Sequence, residues 1–257
     1  MDQHPNGQNN DTRRHYENLL AEVYDWMQGG WEQRAAMSRE LFAGLGISPA
    51  DSNARAVDLG AGTGYQSLPL AELGFAVTAI DSSPTMLAQL AQHKDRLKPA
   101  GSIETLEGDL TALDQHLTDP VQLIVCMGDT LAHLETHEQV ADLFVQARRL
   151  LANGGQLILG FRDGSQPPAG DNRFIPVRSD DERIFTCFLE EIDEDRIRVH
   201  DVVHQRGGDG FVQTVSSYNK IRLSTDWVAE QLAAAGFTEP TRTTDAGMTI
   251  LVSDAGY

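Results

Sequence analysis

Between Asn53 and Phe161, short apolar runs alternate with stretches of helical period. Arg55–Leu59, Phe75–Ile80, Ile103–Glu107, Val121–Met127 and Gln156–Phe161 have the length and apolar content of buried strands. Between them, Gln66–Leu73, Pro84–Leu97 and Glu138–Leu151 read as helices. Such alternation predicts an α/β fold, a doubly wound and mostly parallel sheet with helices on both faces. Local signals mark the helix ends. Ser83 sits at an N-cap position with Pro84 at the first helical position. Thr136 and Gln139 fit a capping box. Asn153-Gly154-Gly155 reads as the close of the helix before it.

The pattern changes after Phe161. Gly164–Asn172 is rich in Gly, Pro and polar residues and reads as a loop. Arg183–Ile192, Arg196–Gln205 and Phe211–Leu223 are β-rich and joined by turn-like links, which predicts an antiparallel meander. Ser224 or Thr225 then caps a helix through Ala235, and two strands follow within Thr238–Ser253. Glu17–Leu45 reads as helical, in two pieces split at Gly29-Gly30. The expected layout is a disordered tail over 1–12, a helical lid over 13–52 and a ligand-binding core over 53–163. An antiparallel insertion over 164–223 and core-completing elements over 224–257 follow.

The chain has 257 residues with 38 acidic and 20 basic side chains, a formal net charge of −18. That balance disfavours holding nucleic acid by phosphate neutralisation, or binding an anionic membrane. The two cysteines, Cys126 and Cys187, are too few for a disulfide framework or a four-thiolate zinc site. Reduced thiols and a cytoplasmic location are expected. No apolar run is long enough for a membrane helix.

The first strand runs into Asp58-Leu59-Gly60-Ala61-Gly62-Thr63-Gly64-Tyr65. A backbone that leaves a strand, turns into a helix and lies against a ligand needs glycine. A dinucleotide site wants G-x-G-x-x-G. Here the spacing is D-x-G-x-G-x-G, which disfavours a nicotinamide oxidoreductase. VDLGAGTGYQSLPLAELG resembles the first motif of the class I S-adenosylmethionine-dependent methyltransferases. The resemblance continues through Asp81 in VTAIDSSPTML, Asp109 in GDL, CMGDTLAHL and LLANGGQLILGFRD. It implies a Rossmann-like fold with a seven-stranded sheet, and S-adenosylmethionine as cofactor. It further implies that Asp58 meets the methionine amine, and that Gly60, Ala61, Gly62 and Gly64 let the backbone approach. Asp81, with Ser82 beside it, would take the ribose hydroxyls. Asp109 and Leu110 would face adenine, and Met86 and Met127 would pack on the adenosine.

The acceptor should sit beyond the carboxyl ends of the strands. The segment Cys126–Leu134 resembles small-molecule N-methyltransferases of the glycine and deoxyaminosugar types. It lacks the Pro-Pro-Tyr signature of amino-methylating DNA enzymes. Asp129 and His133 are four apart and would share a face if helical. They are the candidates for orienting or deprotonating an acceptor. Arg162 is a candidate anchor for a carboxylate or phosphate. Tyr218 is the strongest candidate from the insertion, and Tyr24 is the candidate lid residue. No catalytic metal is expected. The expected function is methyl transfer to a small molecule, most readily an amine nitrogen. O-methylation and a non-catalytic binding module are the alternatives, and a homodimer is left open.

Overall fold

The computed structural model describes residues 20–117 and 119–256. The expected tail over 1–12 and the first residues of the expected lid lie outside them. In chain order the helices are α1 (Ala21–Met27), α2 (Trp31–Gly44), α3 (Ser67–Glu72), α4 (Pro84–Leu97), α5 (Leu113–His116), α6 (His137–Leu150) and α7 (Thr225–Ala234). The strands are β1 (Arg55–Leu59), β2 (Ala76–Asp81), β3 (Ile103–Glu107), β4 (Val121–Cys126), β5 (Leu151–Phe161), β6 (Phe174–Ser179), β7 (Arg183–Glu191), β8 (Arg196–Gly207), β9 (Gly210–Ile221), β10 (Thr241–Asp245) and β11 (Met248–Asp254).

Seven strands form one sheet in the order β10-β11-β5-β4-β1-β2-β3. β1 to β5 run parallel, β11 is antiparallel to β5, and β10 is antiparallel to β11. Successive side chains of a strand point to opposite faces, so each central strand feeds two cores. Leu157, Leu159 and Phe161 of β5 pack with Leu143 and Phe144 of α6 and Val228 of α7. Ile158 faces the other way, with Phe42, Leu68 and Phe75. Burial on both faces explains the nearly continuous apolar runs of the central strands β1 and β4.

Where caps are local, the boundaries follow them. Ser83 Oγ accepts from Met86 N at 3.3 Å, and α4 spans Pro84–Leu97. Thr136 Oγ1 accepts from Gln139 N at 3.2 Å, while Gln139 Oε1 takes Glu135 N rather than the cap residue's own N–H. Asn153-Gly154-Gly155 corrects the reading. It does not close α6 but lies inside β5, where the pairing with β4 skips from Val121↔Leu151 to Leu123↔Gln156. Gly154 has φ +72°, and the extra residues bulge there.

The second sheet is antiparallel with four strands, β6-β7-β8-β9, one more than the meander predicted. β6 follows the Gly- and Pro-rich loop and contains Pro176, so its composition hides a strand.

Candidate functional site

The strand order reverses between β1 and β4, and a ligand crevice opens there, at the carboxyl ends of the strands. Gly60, Gly62 and Gly64 adopt φ of +71°, +53° and +93°. Gly60 N and Ala61 N both donate to Ile80 O, at 2.9 and 3.0 Å. Asp81 at the end of β2 accepts from Gly62 N and Ser83 N, each at 2.8 Å. Burial raises the Asp81 pKa against the pull of these N–H groups. A carboxylate has about four acceptor sites, so the Asp81 carboxylate keeps capacity for a ligand's hydroxyls.

Asp58 lies behind the loop. It is 1% exposed, and Oδ2 accepts from Ser67 Oγ at 2.6 Å. Its Oδ1 is buried with no hydrogen-bond partner among the described residues. Burial pushes the Asp58 pKa up to about 7; the Ser67 bond opposes this and the Asp81 charge adds to it. The folded-state value is therefore above the unfolded one. The stabilising proton is fully held below the unfolded pKa and is lost as pH rises through about 7. Asp58→Asn is expected to flatten the decline in stability between about pH 4 and 7, gaining ~2 kcal/mol at pH 8. Thermal melts of both proteins across that range measure it.

The crevice is lined by Tyr24, Gly60, Ala61, Gly62, Asp81, Ser82, Met86, Asp109, Leu110, Met127 and His133, all singled out from sequence. Asp58 and Gly64 do not line it. Gly64 is instead needed for packing, since a Cβ there would stand 2.8 Å from Leu90 Cγ. Asp109 accepts from Thr111 N and Thr111 Oγ1, both at 2.9 Å, which holds the floor beside Leu110. Gln28 and Arg34, which carried no motif signal, also line the crevice, as do Gly128 and Thr130 of the CMGDTLAHL segment and Gln139 of the capping box.

A second cavity, of about 610 Å³, lies beneath the four-stranded sheet. The two share Tyr24, Gln28 and Gly128. Arg162, Asp129 and Tyr218 line the second cavity, with an apolar wall including Phe185, Leu189 and Val199. His133 stacks on Tyr218, ring centroids 5.3 Å apart.

Asp129 and His133 do not share a helical face. Asp129 precedes a single 3-10 turn, Thr130–His133, and adopts the left-handed conformation with φ +71°. Its carboxylate is engaged: Oδ1 accepts from Arg162 N at 3.0 Å and Oδ2 from Lys220 Nζ at 2.7 Å. Burial alone would raise its pKa, but Lys220 and these bonds hold it below the usual carboxylate range. Asp129 is thus an ionised anchor joining the β4 turn, the end of β5 and β9. It is a poor base. Lys220 escaped the sequence reading because its partner is 91 residues away.

The N-terminal helices are pinned to the glycine loop. Asp25 Oδ1 accepts from Thr63 Oγ1 at 3.0 Å and Tyr65 Oη at 2.6 Å. Trp31 Nε1 donates to Thr63 O at 3.0 Å, giving Trp31 a structural part. Tyr24 stacks on Tyr65 and is the side chain a Cβ at Gly62 would first meet. Burial leads the causes that push the Tyr24 pKa up to about 12, so it stays a neutral phenol. Other polar side chains of the insertion have partners of their own. Arg178 and Arg183 lie over Trp26, Arg173 lies over Phe188, and His200 meets Glu190. Arg222 holds the carbonyls of Gly164 and Glu194. Cys126 is fully buried, and burial raises its thiol pKa. Among the described residues no helix is long and apolar enough to cross a membrane.

Residues 56–155 match a methyltransferase domain family. The glycine/sarcosine N-methyltransferase of Aphanothece halophytica is 27% identical over 155 residues, covering 58% of this chain and 56% of that protein. Rabbit (Oryctolagus cuniculus) glycine N-methyltransferase is 28% identical over 130 residues, 46% of this chain and 44% of its own. The chain thus spans about half the length of the curated relatives it matches. In fold it is similar to the CcbJ methyltransferase of Streptomyces caelestis, with a TM-score of 0.76 at 23% identity over 94% of this chain and 98% of that one. CalS10, an amino pentose methyltransferase from Micromonospora echinaspora, gives 0.69 at 19% identity, over 92% and 97% of the two chains. With the parallel sheet, the D-x-G-x-G-x-G corner and the acid ending β2, these likenesses give residues 56–155 a methyltransferase domain and support a class I S-adenosylmethionine-dependent methyltransferase.

Proposed function

We propose that this protein methylates the amine nitrogen of a small molecule. The observation that carries the reading is the meeting of two unlike cavities at Tyr24, Gln28 and Gly128. One is a crevice on the glycine loop that holds Asp81 and Asp109; the other is a larger chamber with an apolar wall. When bound, S-adenosylmethionine supplies a methyl group on a cationic sulfonium.

The residues fit that cofactor. The Asp81 carboxylate, fixed by two backbone N–H groups, accepts from the ribose hydroxyls. Asp109 and the Leu110 backbone flank adenine, with Met86 and Met127 packed on the adenosine. Asp58 Oδ1, buried behind the loop, is an acceptor that an ammonium group in the crevice would reach through water. In the chamber, Arg162 offers a guanidinium to an anionic end of the acceptor. His133, oriented by the Tyr218 ring, is the base that takes a proton from the acceptor amine. Tyr24 closes the junction and excludes water. The choice of nitrogen is supported by the relatives' names, glycine/sarcosine N-methyltransferase among them.

Calorimetric titration with S-adenosylhomocysteine, and with NAD as control, tests the reading together with turnover on a panel of small amines. The homocysteine compound should bind and NAD should not. Asp81→Ala is expected to weaken S-adenosylhomocysteine about 30-fold, ~2 kcal/mol. His133→Ala should lower kcat and leave that affinity unchanged. An unaltered affinity in Asp81→Ala sinks the ribose assignment, and unaltered kcat in His133→Ala removes the base.

A further inference from the structure

The chamber beneath the four-stranded sheet is far larger than a small amino acid needs. Its volume of about 610 Å³ falls among the clefts, roughly 300–1,000 Å³, that enclose drug-sized ligands. Its apolar wall comes from alternate residues of three strands, which a sheet turns to one face. Ile175 of β6, Phe185 and Leu189 of β7, and Ile197 and Val199 of β8 supply it. Ile175 stays 40% exposed although it lines the chamber. Leu189 and Ile197 are half-buried. Apolar surface held open in this way gains free energy when a ligand covers it.

Most charged side chains of the same lining are already engaged within the protein. Lys220 pairs with Asp129. Asp163 accepts from Ser165 N and Thr225 N. Arg222 donates to the carbonyls of Gly164 and Glu194. Asp201, 1% exposed, accepts from Cys187 Sγ at 2.8 Å. Arg162 differs: among the described residues its guanidinium has neither a hydrogen bond nor an ion pair. The lining thus presents a ligand with an open cation and a broad apolar wall. Glycine, with no side chain, would engage the first and none of the second.

We infer that the acceptor carries its amine on an extended apolar body, several carbons larger than glycine, and that this wall selects it. The inference deepens the proposed amine methylation and rests on that reading for the role of the chamber. It sets this chain apart from relatives named for glycine and sarcosine. Each methylene laid on the wall should strengthen binding roughly fourfold.

Straight-chain monocarboxylates from hexanoate to decanoate test the wall by binding alone, with Arg162 as their common anchor. Titrated calorimetrically into the S-adenosylhomocysteine complex, they should tighten about 250-fold over the four added methylenes. Straight-chain amino acids from glycine to norleucine should rise in kcat/KM by a similar factor. Leu189→Trp and Ile197→Trp each fill the chamber from a half-buried position. Both should keep the melting temperature and the S-adenosylhomocysteine affinity of the wild type, because neither residue lines the crevice. Both should lose the gain with chain length. A wild-type carboxylate series that stays flat overturns the inference, and so does a gain that survives in both variants. Faster turnover of glycine than of norleucine overturns it too. Other results fall on the parent reading instead. Should S-adenosylhomocysteine fail to bind, the cofactor assignment falls, and the carboxylate series on the free chain still decides this point. Should no amine be methylated while the carboxylate series holds, the choice of nitrogen falls and the selection for an apolar body stands.

Discussion

Gly60→Ala is expected to remove about 4 kcal/mol of stability, lowering the melting temperature by roughly 8–16 °C for a chain of this size. Two penalties act together. Gly60 has φ +71°, a region that an L side chain enters only with strain. A Cβ there would also collide with Thr130, whose Cβ would stand 3.0 Å away and whose Cγ2 and Oγ1 would be closer still. Thr130 has little freedom to retreat, because its Oγ1 donates to Met127 O at 2.7 Å. Thermal or urea denaturation measures the loss. Gly62→Ala is the comparison that separates the penalties. It has φ +53° but open space, with Tyr24 Cε1 at 3.9 Å as the nearest atom. It should lose only ~1 kcal/mol. Thr130→Ala in the Gly60→Ala background should return part of the loss. No recovery would show that the glycine's conformation, and not the contact with the β4 turn, dominates.

Lys220→Met is expected to destabilise by about 3 kcal/mol, because it strands the Asp129 carboxylate. Both side chains are mostly buried, Asp129 at 13% and Lys220 at 14% exposure. The pair's support is present above the ordinary carboxylate pKa. It is lost as pH falls through the depressed folded value. In Lys220→Met the order reverses: the unpaired Asp129 favours its proton, so the variant should recover toward acid pH. Adding Asp129→Asn should restore most of the stability at neutral pH, since asparagine tolerates the left-handed backbone and its oxygen can still accept from Arg162 N. Equal melting of Lys220→Met and wild type would show that the pair is held only by its neighbours.

What could be read from sequence was what short-range chemistry decides. The start of α4 follows from Ser83 and Pro84; it ends at a left-handed Lys98, a conformation that carried no signal in the sequence. The glycine corner was legible because one loop carries its whole requirement. The bulge in β5 was misread because glycine after a helix and glycine in a bulge meet the same need for positive φ. Asp25 was missed for another reason. It sits on an ordinary-looking helix, and its partners Thr63 and Tyr65 are 38 and 40 residues away. Asp129 drew notice as a base because its charge was visible and its neutralising lysine was not.

The order of strands in space also bears on how the chain is made. β11 lies between β10 and β5, and its residues Ile250 and Leu251 are buried in the two cores. It is the latest in sequence of the described strands. A polypeptide emerging from the ribosome therefore presents β5 as an unpaired edge until Met248–Asp254 arrive. β5 is the strand whose end leads into Arg162. Synthesis halted before Met248 would leave an apolar strand open to other nascent chains. The same sheet that shelters the finished site makes its unfinished form a hazard for aggregation.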